Sequence, residues 1–213
     1  MTPGLLIVLS GPSGTGKGTV CNILLKNSQN LYFSISMTTR PPRPEEKDGI
    51  NYYFVTEKEF KELIEADAFL EWAKVYGYYY GTPRRNVEMK LAEGKDVLLE
   101  IDTQGAKKIK SNYSQGIYIF LLPPSLQELR RRIEDRGTEN LEKIQERFSA
   151  SSQEISEVNY YNYLTVNDLP ERAAQQIKSI IEAEKCKVSR NRGLIDRLRK
   201  GEHINVHDIP FYR

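Results

Sequence analysis

The segment Gly11-Pro12-Ser13-Gly14-Thr15-Gly16-Lys17 carries the most explicit chemistry in this chain. Closely spaced glycines let successive backbone N–H groups turn toward one point and form an anion nest. A helix that begins immediately afterwards aims its positive end at the same point. From the end of such a loop Lys17 reaches the β and γ oxygens of a polyphosphate. The context supports the motif, because the apolar run Leu5-Leu6-Ile7-Val8-Leu9 precedes it as a strand and a helical pattern follows. Loops of this kind usually place Ser or Thr directly after the lysine, as a Mg²⁺ ligand. Here that position is Gly18, and the hydroxyl comes one residue later, at Thr19. Mg²⁺ would then rely on the phosphates and on water, which weighs against switch GTPases and motor ATPases.

Other charged residues pose a choice between chemistry and solvation. Arg40 and Arg43 lie three apart in a stiff Pro-rich segment. Guanidinium forks grip phosphate oxygens bidentately, and Tyr52 and Tyr80 offer further donors; the other reading is a solvated charged loop. Arg130, Arg131, Arg132 and Arg136 lie in one basic helix, with Arg132 and Arg136 on one face. Periodicity alone favours a solvated face for all four. Asp102 ends an apolar strand, where α/β sheets place ligand chemistry, and it can equally cap the following helix. Cys21 reads as a buried thiol, Trp72 as core packing behind Glu71, and the aromatic run 76–80 as a hairpin. With no Cys-x-x-Cys pair, and both histidines near the C-terminus, zinc chemistry is not expected.

The elements that must position these groups alternate strand and helix. Strands are expected over 5–10, 31–36, 96–102, 117–122 and 163–167, apolar throughout, as in parallel sheets covered on both faces. Apolar residues recur at helical spacing from Leu141 to Ile155 and from Ala173 to Ile181. Two stretches interrupt the alternation. The first, about 36–83, is Tyr-rich, with strand-like 51–55 and 69–75 flanking a capping box at Thr56–Glu59. The second, about 125–150, opens on a capping box at Ser125–Glu128 and breaks at Gly137, which suits a mobile lid. Beyond Lys185, Leu194, Ile195 and Leu198 share one side of a short basic helix, which either packs on something or frays. The 213 residues suffice for one α/β domain with insertions, and the net charge of +2 argues for neither nucleic acid nor membrane. The sparse cysteines and the lack of a basic leader point to the cytoplasm.

The Gly-Lys-Gly-Thr form of the loop is similar to that of nucleoside-monophosphate kinases. Joined to Ser34-Ile35-Ser36-Met37-Thr38-Thr39-Arg40-Pro41-Pro42-Arg43, the chain closely resembles the guanylate kinase family. The resemblance continues through Asn51–Val55, Phe69–Ala73, Tyr79–Thr82, Glu100–Gly105, Arg136–Glu139 and Val166–Asp168, and covers roughly 3–184. It implies a P-loop NTPase fold: an α/β three-layer core on a parallel sheet (1–35, 84–124 and 151–185), an inserted mixed α/β GMP-binding lobe (36–83) and a helical lid (125–150). The tail, 186–213, has no implied role. The implied reaction moves the γ-phosphoryl group of ATP to GMP with Mg²⁺. Arg40, Arg43, Tyr52 and Tyr80 would hold the GMP phosphate. Ser36, Glu71, Thr82 and Glu100 would surround guanine, although a solvated strand edge is the other reading of Glu71. Lys17, Arg40, Arg132, Arg136 and Arg147 would act on the transfer, with the loop from Gly11 to Thr19 around the ATP phosphates. Asn167 would lie near adenine, and Asp102 near the metal through water. The implied partners are the two nucleotides; the resemblance leaves the oligomeric state open. A kinase for a ribose phosphate would lack the guanine set, and a phosphopeptide-binding relative of this scaffold would have a degraded loop.

Overall fold

Strand β1 (Leu6–Ser10) shows why this sheet is buried on both sides: odd and even residues are equally apolar, and all five are buried. In chain order there follow α1 (Lys17–Lys26), β2 (Leu31–Phe33), β3 (Met37–Thr38), β4 (Tyr53–Phe54), α2 (Glu57–Glu65), β5 (Phe69–Val75), β6 (Tyr78–Pro83) and α3 (Arg84–Ala92). The chain continues with β7 (Asp96–Glu100), α4 (Thr103–Asn112), β8 (Ile117–Leu122), α5 (Leu126–Glu134), α6 (Leu141–Ser156), β9 (Tyr163–Val166), α7 (Pro170–Lys185) and α8 (Arg192–Arg199). The structure is a computed structural model and describes residues 3–135, 141–205 and 209.

The main sheet has the order β2-β7-β1-β8-β9, and every pairing in it is parallel. Side chains of successive strand residues point to opposite faces. Leu5, Ile7 and Leu9 therefore join Val20 and Leu24 of α1 and Ala173, Ala174 and Ile177 of α7 in one core. Leu6 and Val8 join Val87 of α3 and Ala106 and Ile109 of α4 in the other. These are the three layers expected from the sequence. Cys21 is buried in the first core, and burial, reinforced by the nearby charge of Glu100, pushes its thiol up, so it stays protonated.

The second sheet, β4-β3-β6-β5, is mixed. Helix α2 crosses from β4 to β5, and its capping box is fully formed between Thr56 and Glu59. The two-residue turn Tyr76-Gly77 joins β5 to β6, with φ of 48° and 86°. Positive φ at both central residues is what a tight hairpin with the natural strand twist requires. Three strands are shorter than expected by two residues or more: 31–36 stops at Phe33, 96–102 stops at Glu100, and 51–55 contributes only Tyr53–Phe54. The box at Ser125 is half formed. Ser125 accepts from Glu128 N, but the Glu128 carboxylate turns instead to Arg131 and Arg132, which hold it at about 2, well below the usual carboxylate range. Trp72 is not core: it is 36 % exposed and lies on the outer face of β5, against Tyr79 and Lys108. Strand alternation turns Glu71 inward instead. Among the described residues no helix is long and apolar enough to cross a membrane.

The chain after α7 is tied to the core through Glu184. That carboxylate is 3 % exposed and is met by Tyr163, Lys187 and Arg190, the last at 3.0 Å. Burial pushes its carboxyl up, and the three hydrogen bonds more than offset this, so it ionises below the usual range. Arg190 also donates to the Gln115 carbonyl. Helix α8, by contrast, buries none of its residues. Truncation after Lys185 strips two cations from a buried carboxylate and is expected to cost about 1–3 kcal/mol in urea unfolding. Truncation after Asn191 is expected to stay within about 0.5 kcal/mol of the full chain.

Candidate active site

Strand β1 ends at Ser10, and the chain turns at once into the loop 11–16. Thr15 is buried, and its hydroxyl donates to the Pro12 carbonyl at 2.8 Å, closing the loop on itself. Lys17 folds back over it, with Nζ 2.7 Å from the Gly11 carbonyl oxygen. Gly16 has φ of 84°, and a Cβ there would stand 2.7 Å from the amide nitrogen of Asn167. That amide donates to the Thr15 carbonyl at 2.7 Å. Asn167 thus braces the loop from behind, and its side chain is 2 % exposed. Leu129 and Ile133 of α5 lie against Gly14.

One cleft joins this loop to the second sheet. From the loop and its strand neighbours come Gly11, Ser13, Gly14, Gly16, Lys17, Gly18, Glu100 and Asp102; from the second sheet and its connections, Ser36, Arg40, Arg43, Tyr52, Glu71 and Tyr80; from α6, Arg147. The expected site residues therefore converge in large part. Pro12 and Thr15 lie beneath the loop surface, and Thr19 is exposed on α1. Arg132 is outside the cleft wall, held by Glu128 at 2.8 Å and by the Asn167 carbonyl at 3.2 Å. Arg136 lies outside the described residues. Arg130 and Arg131 form exposed ion pairs with Glu134, Glu128 and Asp135, the solvated face that periodicity favours.

At the far end of the cleft is a buried carboxylate. Glu71 is 6 % exposed, which rules out the solvated-edge reading. It pairs across the hairpin with Thr82, whose hydroxyl donates to it at 2.7 Å. Gly105 lets it lie against the start of α4, since a Cβ there would be 2.6 Å from Glu71 Oε2. Burial pushes its carboxyl up to about 7, against the pull of the Thr82 hydrogen bond, with the Asp102 charge adding to the rise. Thr82 is itself fully buried behind Glu71. Asp102 caps α4 through Oδ1, which accepts from Gly105 N at 2.8 Å, so the capping role is real. Its carboxylate still faces the cleft.

Between these ends sits a cationic and phenolic cluster. Arg40 donates to the Tyr80 hydroxyl at 3.2 Å, and its guanidinium lies 5.5 Å from the centre of the Tyr52 ring. Burial, with the Glu100 charge nearby, pushes Tyr52 up to about 12, so it remains a donor. Glu46 was not anticipated. It takes Arg40 NH2 at 2.8 and 2.9 Å and the backbone N–H of Arg43 at 2.8 Å, which fixes both arginines. Its position three residues after Arg43 was the available signal. Glu154 was also missed: it lies seven residues beyond Arg147 on α6, hence on the same face, and its carboxylate accepts from Ser13 N at 3.3 Å. Tyr76, at the hairpin tip, reaches across to Arg147, whose guanidinium lies 5.7 Å from its ring centre.

A family model for guanylate kinase matches residues 4–184. The chain belongs to the guanylate kinase family. It is 55 % identical over 197 residues to the guanylate kinase of Caldanaerobacter subterraneus subsp. tengcongensis, covering 92 % of this chain and 96 % of that one. It is 54 % identical over 209 residues to the guanylate kinase of Clostridium tetani, covering 98 % and 100 %. The crystal structure of guanylate kinase from Anaplasma phagocytophilum superposes with a TM-score of 0.80 at 37 % identity, covering 94 % and 96 %. The α/β fold read from the sequence is thus that of a nucleotide kinase.

A family model establishes membership, and the side chains make the site testable. Thr82→Val keeps the shape and removes the hydroxyl that favours ionised Glu71. The Glu71 carboxyl is expected to rise further above about 7, read by carbon-detected NMR titration of the side chain.

Proposed function

We propose that this chain transfers the γ-phosphoryl group of ATP to GMP, or to dGMP, giving ADP and GDP with Mg²⁺ as cofactor. The observation that carries this reading is Glu71, a buried carboxylate in the same cleft as the phosphate loop. Guanine presents N1–H and the exocyclic N2–H₂ on one edge, and a carboxylate accepts both in parallel. Adenine offers an acceptor at N1 and no amino group at C2, so it would leave Glu71 buried with no donor beyond Thr82. Ser36 and Glu100 would complete the base pocket, while Thr82, engaged with Glu71, would act chiefly by orienting it. Arg40, Arg43, Tyr52 and Tyr80 would hold the acceptor phosphate.

Phosphoryl transfer needs two anions held in line, the spreading charge stabilised and water excluded. Lys17 and the loop N–H groups would hold the donor phosphates, and Arg147 would face the transferring group from α6. Arg132 would have to leave Glu128 and the Asn167 carbonyl to join it, together with Arg136. Asn167 would serve the donor by bracing the loop. Mg²⁺ would be held by phosphate oxygens and water, with Asp102, which lines the cleft, as its outer carboxylate. When bound, the ion neutralises charge on the phosphates. We take 36–83 as the acceptor lobe and 125–150 as the lid, the rest up to 185 as core, and cytoplasmic purine nucleotide metabolism as the setting.

A coupled ADP-release assay with GMP, dGMP, AMP and a ribose phosphate tests the reading: turnover is expected with the two guanine nucleotides alone. Glu71→Gln is expected to lower kcat/KM for GMP about 10²-fold or more and to narrow the GMP-to-AMP ratio. Its affinity for inorganic sulfate should stay unchanged, because sulfate has no base edge for Glu71 to read. A variant with the parent preference for GMP removes Glu71 as the guanine reader.

The raised Glu71 carboxyl sets a pH dependence. Below about 7 it is protonated, and its O–H would face a guanine donor. Guanine recognition therefore requires proton loss, and kcat/KM for GMP is expected to fall toward tenfold per pH unit below about 7. The GMP phosphate titrates in the same range but does so with every variant. The Glu71→Gln profile is thus the control, and it should lack the Glu71 step.

A further inference from the structure

We propose that Glu154 is a resident counter-anion of the phosphate loop, which the terminal phosphate of the donor must displace. The inference rests on the reading of 11–17 as the donor phosphate site and goes beyond it. Glu154 projects from α6 into the cleft, and its Oε2 accepts from the Ser13 backbone N–H at 3.3 Å. That N–H is one of the loop donors that the donor-site reading assigns to a phosphate, so a phosphate oxygen and a carboxylate oxygen would compete for it. Lys17, Asp102 and Arg147 line the same cleft.

The surroundings of Glu154 point the same way. Burial pushes its carboxyl up; the Lys17 charge and the Ser13 N–H pull it down, and Asp102 adds to the rise. On balance the carboxyl lies above its usual value, so the anion is costly to bury, and the loop itself, through Lys17 and the Ser13 N–H, offsets part of that cost. The carboxylate cannot share those two groups with a phosphate at no cost, because like charges at short range repel. The consequence is selectivity. A ligand must supply more than one phosphate's worth of contacts to take the loop, so orthophosphate is a poor occupant and a triphosphate a good one. Arg147 is on the same helix two turns earlier, so the side that loses Glu154's contact also carries the cation for the transferring group.

The test uses inorganic tripolyphosphate without metal, titrated calorimetrically into the full-length chain in EDTA. Glu154→Gln keeps the shape and removes the charge, and it is expected to bind tripolyphosphate about tenfold tighter than the parent, as for a charged hydrogen-bonded competitor. Glu154→Ala is expected to tighten binding in the same direction and guards against a folding defect specific to one variant. Sulfate affinity at the arginine cluster should not change in either. Equal or weaker tripolyphosphate binding in both folded variants overturns the proposal and assigns Glu154 a structural or metal-side role. If neither the parent nor the variants bind tripolyphosphate, the phosphate-loop reading itself fails.

Discussion

The parallel register of the main sheet is the constraint on which the site depends. In a parallel sheet every strand leaves by the same edge, and each return crosses a face. The order β2-β7-β1-β8-β9 therefore brings five strand exits side by side. Ser36 follows β2, Asp102 follows β7, the phosphate loop follows β1, α5 follows β8 and Asn167 follows β9. Residues more than a hundred positions apart become neighbours without any long-range pairing motif. Asn167 reaches the Thr15 carbonyl across 152 residues because β9 and β1 flank β8 and end at one edge. Both insertions leave from this edge, so they hang over the loop rather than over the opposite end.

The same arrangement raises an electrostatic problem. A cleft that gathers backbone N–H groups, Lys17, Arg40, Arg43 and Arg147 would be strongly positive unless carboxylates were interleaved. Glu46, Glu71, Glu100, Asp102 and Glu154 are those carboxylates, and each is held differently. Glu46 is fixed by a guanidinium and a backbone N–H; although burial raises its carboxyl, Arg40 and Arg43 bring it below the usual range. Among the described residues Glu71 takes hydrogen bonds from the hydroxyl and the backbone N–H of Thr82 alone, and burial still pushes it up to about 7. A carboxylate with its hydrogen bonds already satisfied positions other groups. One left short of partners in a buried place is suited to a ligand that brings the missing donors.

The fold was legible in the sequence because its signals are local. Apolar runs of five or six residues, glycines with a lysine at fixed spacing and the Thr56 capping box each specify their own element. What the sequence misjudged depends on facing. Glu71 and Trp72 are adjacent in an alternating strand, and only the sheet behind them decides which turns inward. Tryptophan was assigned to the core on hydrophobicity, yet Gly105 makes room for a carboxylate on the inner face, and Trp72 packs outside with Lys108 over its ring. The hydrogen bond from the Asn167 amide to the Thr15 carbonyl depends on a strand order that no local pattern reveals. Glu46 and Glu154 were missed because a lone glutamate in a charged loop or on a charged helix looks like any other until its partner is known.

Helix α6 and the β5–β6 hairpin add the last element of the argument. Tyr76 holds a left-handed backbone conformation, uncommon for a residue other than glycine, at the tip of a two-residue turn. Its ring meets Arg147 from the other insertion, so the two arms that overhang the cleft touch each other as well as the sheet edge. A helix that carries Arg147 toward one ring and Glu154 toward Ser13 cannot shift along its axis without changing both contacts. Any shift of α6 would thereby alter its contacts with the hairpin and with the loop at once, through two side chains on one face of one helix. Such a link needs no relay through the core, because both contacts are made directly between the overhanging elements and the loop.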